Sequence, residues 1–285
     1  MGRYDILRRI ERLDPERDCQ EICRLTTTYD FPWDTTRALE LALYRTYAVP
    51  SISALLDQTG EFARRAQKRY DDTALLVAEF TEWGYESERG KRALRRMNTI
   101  HHRYSIANAD FLYVLTTFIF EPIRWNARFG WRRLTEKERL ATFSLWREIG
   151  RRMNIRDIPN SYTELEQYNV AYEREHFRYV ETNRRVGDAT RDLFLSWFPA
   201  PLRPLLKSGI YALMDEPLLD AFGFPHPPGW LRAFVAGGLK LRARALRFFP
   251  PRRRPRYYTE QRQRTYPSGY AIEELGPKPI GSPRS

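Results

Sequence analysis

Arg69 and Thr73 stand one helical turn apart, and His101 follows about thirty residues later, roughly one helix on. All three fall on the apolar side of the stretches that carry them. A guanidinium, a hydroxyl and an imidazole are costly there unless each finds a partner. An inward arginine needs an anion or several acceptors, which a carboxylate from another helix or an anionic group of a cofactor would supply. An inward histidine is either a satisfied core residue or a metal ligand.

The elements that must position these groups are helical. Phe62, Ala66, Arg69, Thr73, Leu76, Val77 and Phe80 keep the three-and-four spacing of one helix face. Ala93, Leu94, Met97, Ile100, His101 and Tyr104 do the same in the next stretch. His102 lies about 100° further round, beside Asn98 and Arg95, on the solvent side. Adjacent helical histidines cannot both ligate one iron from the same side, so His101 is the candidate ligand. Zinc needs three or four ligands, yet only His176 and His226 remain and there is no HExxH. Haem needs one protein ligand and an apolar wall. A haem pocket is therefore preferred to zinc or to an iron site of two histidines and a carboxylate. There is no glycine-rich phosphate loop, nucleophile elbow or dinucleotide fingerprint.

Composition allows such a pocket. The 285 residues are 42% hydrophobic and 14% aromatic, enough for a sizeable core. The two cysteines, Cys19 and Cys23, have neither redox nor zinc spacing and read as free thiols. The first residues lack the apolar segment of a signal peptide and depart from the myristoylation pattern at Ile6. The longest apolar run, Phe111 to Phe120, is too short to span a bilayer and reads as a core helix. The expectation is an intracellular protein, soluble or peripheral to a membrane such as the ER. Net charge is +12, concentrated late in the chain, with no acidic residue between Ala221 and Thr259.

Apolar periodicity is helical almost throughout, so the fold class is all-α. Asp14-Pro15 reads as a helix entry. Helices are expected over 35–49, ending at Pro50, and over 62–83, 86–104, 108–125, 190–198, 202–214 and 230–249. Capping boxes at Thr135/Glu138 and Ser161/Glu164 open two more. The expected organisation is a single multi-helix domain over 1–249 and an irregular Pro/Arg-rich tail over 250–285, wrapped on the surface or disordered. The last helix has Leu231, Phe234, Val235, Gly238, Leu241, Ala245 and Phe248 on one side and Arg and Lys around the rest. It either docks on an anionic membrane or packs on the domain with a solvated basic face. Tyr257, Tyr258 and Tyr266 beside the basic tail could attract phosphates, but no recognition motif accompanies them and no nucleic-acid partner is expected.

Arg69-x-x-x-Thr73, Ile100-His101 and Asp110-Phe-Leu-Tyr113 together resemble the rubber oxygenase family, which includes latex-clearing protein. Phe129-Gly130-Trp131-Arg132, Leu134-Thr135-x-x-Glu138 and Ile158-Pro159-x-Ser161 place the resemblance nearer the branch of the ER-bound oxygenase of mycophenolic acid biosynthesis. It covers roughly residues 30 to 230. The resemblance implies an all-α fold around haem b, with His101 as axial ligand and Arg69 and Thr73 beside the haem. It also implies O2-dependent cleavage of a carbon–carbon double bond in a hydrophobic, prenylated or terpenoid substrate. The rubber enzymes have a lysine just before the threonine as a second axial ligand; here that position is Asp72. The alternative is a non-catalytic haem or lipid carrier of the same fold.

Overall fold

The computed structural model describes residues 2–277; the end of the expected tail, 278–285, lies outside the described residues. Thirteen α-helices and no strand occur among the described residues. They are α1 (Asp5–Ile10), α2 (Cys19–Leu25), α3 (Pro32–Tyr47), α4 (Pro50–Thr59), α5 (Glu61–Glu82), α6 (Glu88–His101) and α7 (Asn108–Phe129). Then come α8 (Glu136–Arg152), α9 (Tyr162–His176), α10 (Glu181–Ser196), α11 (Arg203–Leu213), α12 (Glu216–Phe222) and α13 (Gly229–Leu246). The all-α expectation holds.

Local chemistry sets many boundaries. Thr135 accepts from the Glu138 amide while Glu138 reaches back to the Thr135 amide, the reciprocal cap expected at the start of α8. Ser161 caps α9 through the Glu164 amide. Helix α5 ends at Gly84, which takes a left-handed turn with φ 95°. One proline expectation fails. Asp14 accepts from the amides of Glu16 and Arg17 in a turn, and α2 starts only at Cys19. Helix α3 ends at Tyr47, just before Pro50 as expected, and Pro50 then opens α4, where its missing N–H has no cost.

Helix α7 runs through the interior and packs most extensively on α3, burying Tyr113, Ile119 and Phe120. Around it, α2 lies on α8, α5 on α6, and α4 on α10. Buried charges staple the layers. Arg45 on α3 binds Glu173 on α9 and Asp215 before α12 (2.7 Å). Arg132 forks between Asp30 (2.6 Å) and Glu138 (2.7 Å), and Glu138 also accepts from Thr26 (2.8 Å). The segments around Trp131 and Glu138 thus serve as internal clamps.

The segment after α13 is irregular but ordered onto the body. Four buried carboxylates on α5 receive it. Glu82 accepts from the Tyr258 and Thr259 amides, Asp71 from the Thr265 amide, Asp72 from the Tyr266 hydroxyl and Glu79 from the Tyr270 hydroxyl. Ile272 and Leu275 join the main core. Tyr257 stacks on Trp83 at 4.9 Å. The tyrosines weighed for phosphate attraction are therefore engaged inside the fold.

Candidate functional site

Arg69, Thr73 and His101 meet in one cavity. It has a volume of about 510 Å³, and its lining is mainly apolar. Helix α5 supplies Arg69, Asp72, Thr73, Leu76 and Phe80; α6 supplies Ile100 and His101; α7 supplies Asp110, Phe111 and Phe118. The expected α5 face is what brings this about. Phe62, Leu76, Val77 and Phe80 anchor it in the core, and Arg69 and Thr73 must follow them inward.

His101 lines the cavity, whereas His102 is exposed. The His101 ring sits edge-on to Phe111 with centroids 5.2 Å apart. Its Nδ1 is buried with no hydrogen-bond partner. Burial, with help from the nearby positive charge of Arg69 and from His102, depresses its pKa from 6.5 to about 4. The imidazole is therefore neutral at physiological pH, with a lone pair available. It is not a core histidine satisfied by its neighbours.

Arg69 has no carboxylate at ion-pair distance among the described residues; its side chain donates to Thr73 Oγ1 and lies over the Phe62 ring. Thr73 Oγ1 in turn donates to the Arg69 carbonyl at 3.0 Å. A guanidinium without a counter-charge beside an apolar cavity is a ready anion site. Asp72 is 3% exposed and does have partners: Lys68 Nζ at 2.7 Å and the Tyr266 hydroxyl at 2.5 Å. Lys68 also donates to Tyr266 Oη (2.8 Å) and to the Gly276 carbonyl (3.2 Å). The lysine is tied to the C-terminal segment.

Sequence reasoning did not single out the other polar members. Asp110 is buried in the wall and accepts from Tyr172 (2.5 Å) and Ser51 (3.0 Å). Asp110 opens the resemblance motif Asp110-Phe-Leu-Tyr113, but its place in the cavity wall does not follow from that motif. Gly276 and Pro277 close part of the cavity, though they are far from it in sequence. The signal for that closure was the five buried acidic residues of α5, four of which are met by donors of the C-terminal segment.

A smaller cavity of about 370 Å³ abuts the first, and Leu43, Thr73, Val77, Phe118 and Trp146 line both. It holds Trp33, Tyr70 and Trp197. Its Glu40 is pushed up in pKa by burial, against the charge of Arg37 and the hydrogen bond from Tyr70 (2.7 Å). Among the described residues no three or more of His, Cys, Asp and Glu gather as a polydentate metal site.

Comparison with known proteins gives the family. The family profile described as "ER-bound oxygenase mpaB/B'/Rubber oxygenase, catalytic domain" matches residues 35–248. The chain belongs to this family. It is 29% identical over 269 residues to the ER-bound oxygenase mpaB' of Penicillium brevicompactum, covering 88% of this chain and 60% of that protein. To the ER-bound oxygenase mpaB of Penicillium roqueforti it is 29% identical over 224 residues, 72% of this chain and 75% of the relative. A third relative, mpaB of Penicillium brevicompactum, is 31% identical over 191 residues, 60% of this chain and 49% of the relative. The chain thus spans about 60% of the first of these relatives. The matched region takes in α13, beyond the span of the sequence resemblance, and stops before the segment that binds α5. Among the described residues no helix is long and apolar enough to cross a membrane.

Proposed function

We propose that this chain is a haem b-dependent oxygenase that cleaves a carbon–carbon double bond of a hydrophobic, prenylated or terpenoid substrate with O2. The observation that carries the reading is the neutral, partnerless His101 in the wall of a large apolar cavity. The residues present fit the cofactor. His101 would hold the iron, and Arg69, lacking a counter-charge, would pair with a propionate. Bound there, haem would supply the oxygen chemistry that no side chain provides.

The chain's own contribution is positional. Burial keeps the proton off His101 and so keeps its lone pair free. Thr73 orients the Arg69 guanidinium and stands in the partition between the two cavities. The apolar walls exclude water and accept an alkene chain, for which the smaller cavity gives added room. Lys68 is held by Asp72, Tyr266 and Gly276, so no free amine competes for the cavity. In the net reaction the double bond breaks and each carbon takes one atom of O2, giving two carbonyls.

The visible spectrum of the full chain, expressed with a haem supply, tests this. An intense Soret band is expected, lost in His101→Ala. A chain that remains colourless after haem is supplied, or a His101→Ala protein with an unchanged spectrum, overturns it. Asp72 in the lysine position favours the second reading, a haem or lipid carrier. Oxygen uptake with a prenylated substrate separates the two.

A further inference from the structure

In α13 Arg232 and Arg242 turn inward, while several large apolar side chains point out. Arg242 reaches Asp34 (3.0 Å) and lies 3.8 Å over the Trp33 ring. Arg232 donates to the Met214 carbonyl (2.7 Å) and Arg247 to that of Trp131 (2.9 Å). Leu231, Ala236, Leu239 and Ala243 complete the inner face. The packed alternative weighed from the sequence is thus realised, but its outer face is not the solvated basic one. Trp230, Phe234, Leu241 and Phe248 are 71%, 71%, 67% and 89% exposed. Their spacing puts them on one side of the helix. Between them, a Cβ at Gly237 would meet only open space. Leu202 and Leu205 stand exposed on the neighbouring α11 segment.

Such a row of exposed apolar groups marks a binding surface. Its borders name the partner. Arg203 and Lys207 of α11 and Lys240 and Arg244 of α13 are exposed, and no carboxylate occurs between Ala221 and Thr259. A second copy of the chain would set this basic face against itself, and the like charges would repel. An anionic bilayer complements both parts: rings and leucines enter the acyl boundary while Lys and Arg meet the headgroups. We propose that the outer face of α13, extended by α11, docks the protein on anionic membranes as a monotopic surface. Trp33, stacked under Arg242, also lines the smaller cavity, so the docking helix backs onto that chamber. Docking does not depend on the chemistry of the cavities.

Flotation of the full chain with phosphatidylcholine vesicles, with and without phosphatidylserine, tests the surface. Binding is expected on the anionic vesicles, weaker by on the order of tenfold on neutral ones or in raised salt. The triple variant Phe234→Ser, Leu241→Ser, Phe248→Ser is expected to lose about a hundredfold in partitioning. Its thermal melt should match that of the parent, because these side chains lie outside the core. The single variant Phe248→Ser, at the most exposed position, repeats the test with the least risk to folding. A parent chain that stays unbound with anionic vesicles overturns the proposal. So does a variant that floats equally well, or a parent dimer that the triple variant converts to monomer in light scattering.

Discussion

Replacing His101 with leucine should make the protein prepared without haem more stable, and increasingly so as the pH falls. The folded ring holds its pKa near 4, against 6.5 for a free histidine. Between those values the unfolded chain binds a proton that the folded chain refuses. Stability contributed by the neutral ring is therefore complete above about pH 6.5, falls as the pH drops below that value, and levels off below about 4. At 1.36 kcal/mol per pH unit, the parent loses about 2 kcal/mol from this ring between about pH 7 and about pH 5. The leucine variant has no such proton to take up. The other three of the 4 histidines are common to both proteins. Removing the partnerless Nδ1 adds a pH-independent gain of about 1 kcal/mol or more. The assay is urea unfolding followed by tryptophan fluorescence at both pH values, for both proteins. Parallel stability curves would mean that the folded ring titrates like a free histidine. The cavity wall would then be wet, and the case for a preorganised neutral ligand would be lost. A side chain that costs stability in the free protein is what a site kept for a ligand requires.

Tyr266→Phe removes the hydroxyl that donates to buried Asp72 and accepts from Lys68, and should cost about 1–3 kcal/mol in urea unfolding. An unchanged midpoint would show that the C-terminal segment does not hold the cavity rim. Cys19 and Cys23 are free and buried, and burial pushes both thiols up. Both should react slowly with a thiol reagent in the native protein and promptly in urea, and fast native labelling would contradict their packing.

What could be read from the residues followed from helical periodicity. One face rule placed Arg69, Thr73 and His101 inward and His102 outward, and the same rule located the cavity they line. Periodicity could not say what meets a polar group once it is inside. Arg69 and Arg45 are both inward arginines on amphipathic helices, yet Arg45 finds Glu173 and Asp215 while Arg69 finds no carboxylate among the described residues. That difference depends on partners more than a hundred residues away, which no local pattern encodes. The C-terminal segment shows the same limit from the other side. Its prolines and arginines read as an irregular tail, because disorder signals count composition and ignore receptors. The receptors were Asp71, Asp72, Glu79 and Glu82, buried on one helix, with Lys68 beside Asp72 and Arg89 beside Glu79. Their demand for donors is met by tyrosine and threonine hydroxyls and by backbone amides of the segment 258–270. In α13, basic and apolar residues were assigned to opposite sides on the rule that charges seek water. Asp34 and two carbonyls reverse that rule for three arginines, and the displaced apolar side chains become the outer surface. In α13 the charged side chains find acceptors in the fold that hold them better than solvent does. The same reasoning makes Arg69 the informative exception. With no acceptor supplied by the described protein beyond its own Thr73, its anion should come from whatever the cavity binds.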